Sequence, residues 1–135
     1  MAKNVTSEVI LSEKKYLGEA KMRNHFAVLD EPIKDGGGDS GPTPVEYLLT
    51  AIGGCVAMTL RMYAERKGWN LGKIKVIVSQ KEELTSSGIR KSLLEEISIE
   101  NEITEDQRIK LLEIAGKCPV AKMIKGETEI ATSIQ

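Results

Sequence analysis

Apolar and polar residues alternate in short runs at the start of the chain, where residues 5–11, 14–21 and 24–30 predict three strands. The third carries His25-Phe26-Ala27-Val28-Leu29 and stops at Asp30-Glu31-Pro32. The pattern breaks at Asp35-Gly36-Gly37-Gly38-Asp39-Ser40-Gly41-Pro42, whose composition predicts a flexible loop. This stretch lacks the Gly-Lys-Ser/Thr ending of a phosphate loop, which argues against nucleotide binding. Thr43-Pro44-Val45-Glu46 then has the form of a helix start: threonine as N-cap, proline at the first helical position, glutamate three residues past the cap. The helix it opens has no charged residue from Tyr47 to Leu60 and is expected to be buried on every side. Its uncharged stretch ends at Arg61, short of the about 20 apolar residues of a membrane span, so a core helix is predicted. Gly68, preceded by Arg66 and Lys67, supplies the stop.

Beyond it the period shortens to two. Ile74, Val76 and Val78 share one face of a strand, Ile97, Ile99 and Ile103 one face of the next, and Thr85-Ser86-Ser87-Gly88 joins them as a hairpin. Thr104-Glu105-Asp106-Gln107 repeats the capping box for a second helix, with Ile109, Leu112 and Ala115 expected on its buried face. Pro119 interrupts that helix or restarts it, and alternation from Thr128 to Ile134 predicts a last strand. The expected class is α+β in the order β-β-β-α-β-β-α-β. One very apolar helix beside few strands cannot be covered by a single copy, which implies a homodimer. Gly53-Gly54 costs about 1 kcal/mol per glycine within a helix, a cost understandable where the backbone packs closely on another helix or on a strand.

The 135 residues suit a single domain, 1–135. Lysine plus arginine (19) nearly cancels aspartate plus glutamate (20), and the charges are interspersed, so a nucleic acid is not an expected partner, nor, given the short apolar helix, is a membrane. The first residues show no signal-peptide pattern, and a cytoplasmic location is expected. Two cysteines and one histidine are too few for a four-ligand structural zinc site. The cysteines are Cys55, inside the apolar helix, and Cys118, in Lys117-Cys118-Pro119. In a reducing compartment paired thiols tend to be catalytic or redox-sensing. Leu48, Ala51, Ile52, Met58, Thr59 and Met62 surround Cys55 at helical spacing. Such a wall suits an inert buried thiol, and a reactive one would need a cation or strong donors nearby.

Read together, several segments resemble the family of osmotically inducible protein C and the organic hydroperoxide resistance proteins (OsmC/Ohr). They are Asp30-Glu31-Pro32, Gly37-Gly38-Asp39-Ser40-Gly41-Pro42-Thr43-Pro44-Val45-Glu46-Tyr47-Leu48-Leu49, Gly53-Gly54-Cys55, Met58-Thr59-Leu60-Arg61-Met62-Tyr63-Ala64 and Lys117-Cys118-Pro119-Val120. The resemblance implies an intertwined homodimer in which curved antiparallel sheets wrap two central helices. It implies a thiol-dependent peroxidase without metal or organic cofactor. Cys55 would attack an organic hydroperoxide and become a sulfenic acid, Cys118 would resolve it as a disulfide, and a dithiol, in this family typically lipoyl-linked, would reopen it. In the family's reductases a glutamate directly after the second proline and an arginine position the cysteine. Here that place holds Val45, with Glu46 one position later, and the N-terminal strands offer Arg23. Arg23 and Glu46 are therefore the candidate activating residues, although Glu46 also fits a purely capping role and stands about 180° around the helix from Cys55. Arg61 and His25 read as ordinary structural residues. The alternative is a non-catalytic OsmC-like dimer that senses oxidants or binds an apolar ligand.

Overall fold

The computed structural model describes residues 4–126 and 128–135. The chain forms two compact units, residues 1–48 and 49–135. In the first, strands β1 (Glu8–Leu11), β2 (Gly18–Met22) and β3 (His25–Leu29) form an antiparallel sheet in the order β1-β2-β3. Its register pairs Ile10 with Glu19 and Glu19 with Val28. The strands are shorter than the periodicity predicts because two turns take residues from their ends: Leu17 N–H donates to the Lys14 carbonyl in one, and Arg23 adopts a left-handed backbone (φ 56°) in the other.

The glycine-rich segment after β3 is tied down, contrary to the flexible loop expected from its composition. The buried Asp30 carboxylate accepts N–H groups from Glu31 (2.8 Å), Gly38 (3.2 Å) and Ser40 (3.1 Å), so one side chain replaces the partners that the loop backbone would otherwise lack. At Gly37 a Cβ would collide with the Glu31 carbonyl, and at Gly41 it would lie 2.5 Å from the Val28 carbonyl oxygen, so the glycines serve close backbone approach. The donors, Ser40 first and Glu31 next, hold the Asp30 carboxyl below its ordinary 3.8 against the opposing effect of burial. With the folded value depressed, this anchorage is fully present above pH 3.8 and is lost as pH falls through the lower folded value. Glu46 and Glu105, lowered by Thr43 and Arg108 respectively, act with the same sign. Asp30→Asn is expected to lower the melting temperature by several degrees at neutral pH and to flatten the loss of stability below about pH 4, both read from thermal melts across pH.

Helix α1 (Pro44–Lys67) starts where the sequence places it: Thr43 N–H donates to Glu46 Oε1 (2.9 Å), and Glu46 N–H donates to Thr43 Oγ1 (3.2 Å). It ends before Gly68, whose φ of 71° suits glycine. In the second unit its buried stripe is Ile52, Val56, Leu60 and Ala64, four residues apart, packed with Leu71, Leu111, Ile114, Ala115, Cys118 and Ala121. Strands β4 (Ile74–Thr85) and β5 (Gly88–Ile99) form the predicted antiparallel hairpin about Ser86-Ser87. Ile74, Val76, Val78, Ile97 and Ile99 face the same core, as the alternation predicts. Gly53 lets α1 lie on β4, since its Cβ would stand 3.2 Å from Val78 Cγ2, whereas a Cβ at Gly54 would meet nothing.

Three expectations are corrected. Within one copy α1 is not buried all round: Leu48 (43%), Met58 (65%) and Met62 (61%) are exposed. Charge-free composition marks an apolar surface without saying whether the same chain covers it. Helix α2 (Glu105–Ala115), capped as predicted by Thr104 and Gln107, buries Leu111, Ile114 and Ala115, while Ile109 and Leu112 are exposed. Apolar residues at 109, 111, 112, 114 and 115 cover more than one face, so spacing alone could not select it. Lastly, Thr128 to Ile134 forms no strand among the described residues. Alternation supplies faces, but a strand also needs a neighbour's N–H and C=O groups. The chain restarts at Pro119 instead, as helix α3 (Pro119–Lys125).

Candidate thiol site

Cys55 occupies the middle of α1, half-buried against the core. Its Sγ lies 4.0 Å from Thr59 Oγ1, one helical turn on. Cys118 is the N-cap of α3, with an extended backbone (φ −59°, ψ 123°) and Pro119 in the first turn. That proline fits because the first N–H of a helix has no intrahelical partner. Cys118 is fully buried.

The two side chains are neighbours: Cys55 acts on the Cys118 thiol, as do the backbone N–H groups of Val120 and Ala121. Burial pushes the Cys118 thiol above its ordinary value, and the Cys55 contact pushes the same way; the Ala121 and Val120 amides oppose them. Cys118 is thus held as a thiol, with donors in place for negative charge. Both cysteines are free, so the site is a dithiol.

The other residues singled out from the sequence lie as follows. Arg23 sits in the turn between β2 and β3 of the first unit, and His25 begins β3 opposite Met22. The Glu46 carboxylate accepts the Thr43 N–H in the capping box. Arg61 donates to the Gly72 carbonyl oxygen (2.5 Å), pinning the link between α1 and β4. Sequence reasoning missed the Val120 and Ala121 amides. The signal was available in Cys118-Pro119, a cysteine immediately before a helix-starting proline.

A dithiol held between a long apolar helix and the start of a short one, beside a two-stranded ribbon, defines a redox-capable α+β protein. The family model described as OsmC-like protein matches residues 36–133, and the chain belongs to that family, which is associated with hydroperoxide resistance. Solved structures share the fold at low identity. An OsmC-like protein of Mycoplasma pneumoniae is 22% identical with a TM-score of 0.72, covering 93% of this chain and 90% of its own. An organic hydroperoxide resistance protein OsmC of Legionella pneumophila is 15% identical with a TM-score of 0.69, covering 93% and 92%. A Psychrobacter arcticus protein assigned to an osmotic stress and detoxification response is 19% identical with a TM-score of 0.75, covering 90% and 89%. No curated protein matches the chain significantly.

Proposed function

We propose that the protein is a thiol-dependent peroxidase that reduces organic hydroperoxides in a reducing, cytoplasmic compartment. The observation that carries this reading is the pair of free, neighbouring cysteines, Cys55 packed against the core cluster that holds Cys118. Cys55 is the attacking sulfur because it is the one that solvent reaches. Its thiolate takes the outer oxygen of the hydroperoxide, the O–O bond breaks, and the departing alkoxide gains a proton to become an alcohol, leaving a sulfenic acid on Cys55. Cys118 then attacks that sulfur; its proton and the sulfenic hydroxyl leave as water, and a disulfide closes. The apolar neighbours of Cys55 favour an organic peroxide over hydrogen peroxide. Arg23 is assigned the role of favouring the Cys55 thiolate, and Glu46 is assigned to the helix start on which that arrangement depends.

A homodimer is part of this reading. Leu48, Ala51, Met58 and Met62 recur at spacings of three, seven and four along one stripe of α1, as on a helix that packs against another, and all four are exposed in one copy. Met58→Glu is expected to convert a dimer to a monomer at micromolar concentration in sedimentation equilibrium. An unchanged dimer would remove α1 from the interface.

Turnover tests the function. Cumene hydroperoxide with a dithiol should be consumed continuously by the proposed enzyme. A sensor or ligand-binding protein would show at most one oxidation per site.

A further inference from the structure

Of the charged groups that the sequence offers for activating Cys55, Glu46 caps its own helix, Arg61 holds the Gly72 carbonyl, and Arg23 belongs to the first unit. Within the second unit the fold brings a neutral donor to the sulfur instead. Thr59 stands four residues beyond Cys55, which on a helix is about 40° more than one full turn and about 6 Å along the axis, so the two side chains stack on one face of α1. Thr59 Oγ1 lies 4.0 Å from Cys55 Sγ, and both residues are half-buried. A threonine hydroxyl inside a helix commonly turns back to the carbonyl one turn earlier. The Thr59 hydroxyl has the Cys55 sulfur as its hydrogen-bond partner among the described residues. Threonine is also a weaker helix former than alanine, and this one interrupts a charge-free stretch in which an apolar residue would serve the helix better.

The contact bears on how the thiol pair divides its charge. The cysteines are neighbours, so negative charge on Cys55 disfavours charge on Cys118. Burial works against charge on Cys118, while the Ala121 and Val120 amides favour it, and a donor at Cys55 tips the balance between the two sulfurs. We infer that the Thr59 hydroxyl donates to the ionised Cys55 sulfur and thereby makes Cys55, rather than Cys118, the nucleophile of the pair, a role that rests on the peroxidase reading above. A thiol sulfur is a weak acceptor and an ionised one a much stronger acceptor, so the 4.0 Å contact shortens when Cys55 gives up its proton. That proton passes to the solvent that reaches Cys55, and Thr59 keeps its own throughout. Because Thr59 touches the reacting atom, it is a catalytic residue.

The test treats the reduced, full-length protein with limiting iodoacetamide at neutral pH and follows each cysteine by peptide mass spectrometry. Cys55 should be alkylated first in the parent. Thr59→Val, which exchanges the hydroxyl for a methyl group, and Thr59→Ala, which suits the helix, should each slow Cys55 alkylation about five-fold, the effect of one hydrogen bond. Thr59→Ser, which keeps the hydroxyl, should stay within about two-fold of the parent. Unchanged rates in the valine and alanine variants would overturn the inference. So would an equal fall in the serine variant, which would assign the effect to packing, or alkylation of Cys118 ahead of Cys55 in the parent. Alkylation needs no peroxide, which separates the two claims: if its rate follows the hydroxyl while cumene hydroperoxide leaves the parent's Cys55 unmodified, the hydrogen bond stands and the peroxidase reading fails.

Discussion

Cys55→Ser is expected to reduce organic hydroperoxide consumption to the uncatalysed background, a loss on the order of 10³-fold or more. A serine hydroxyl remains protonated at neutral pH where a thiol in a favourable setting ionises, and oxygen offers no equivalent of the sulfenic acid. Because Cys55 is only half-buried and its neighbours are apolar, the substitution changes one atom with little change in packing, so lost activity would not reflect lost structure. Cys118→Ser should behave differently. Peroxide would still oxidise Cys55, and mass spectrometry should find a trapped oxidised Cys55 where the parent shows an intramolecular disulfide. Residual turnover of that variant with excess external thiol would mean only that resolution can be supplied from outside. An unmodified Cys55 after peroxide treatment, in parent and variant alike, would refute its assignment as the attacking sulfur.

The second large effect is on stability. Leu60→Ala should destabilise the fold by about 3 kcal/mol, or roughly 10 °C in melting temperature. Leu60 is fully buried in the stripe that joins α1 to α2 and the ribbon, so its loss combines a transfer cost with a cavity that a close-packed core cannot fill. Ile52→Val, in the same stripe, removes one methylene and should cost only about 1 kcal/mol. Urea unfolding should show both as shifts of the midpoint at constant slope. Equal effects would mean that the stripe is not packed tightly.

The elements whose ends are chemically marked were legible in the sequence. Thr43 with Glu46 and Thr104 with Gln107 name two helix starts because each capping box is satisfied within a few residues. The β4–β5 hairpin was legible for a related reason: its alternating isoleucines and valines pair directly across the two strands, Ile74 with Ile99 and Val76 with Ile97. Features set by distant partners were harder to read. The burial of Leu111 rather than Ile109 depends on where α2 lands against α1 and β5, and the covering of Met58 and Met62 depends on what lies beyond one chain. Of the site, both cysteines could be named, but not their contact, nor the Val120 and Ala121 amides aimed at Cys118, since backbone direction at a helix start leaves no side-chain signature.

Trp69 is the sole tryptophan of the chain, and its indole stands edge-on to the Tyr63 ring near the end of α1. The molecule thereby carries an intrinsic fluorophore where its longest helix gives way to the ribbon. Emission from that one indole can follow melting of the helix end, with no label attached.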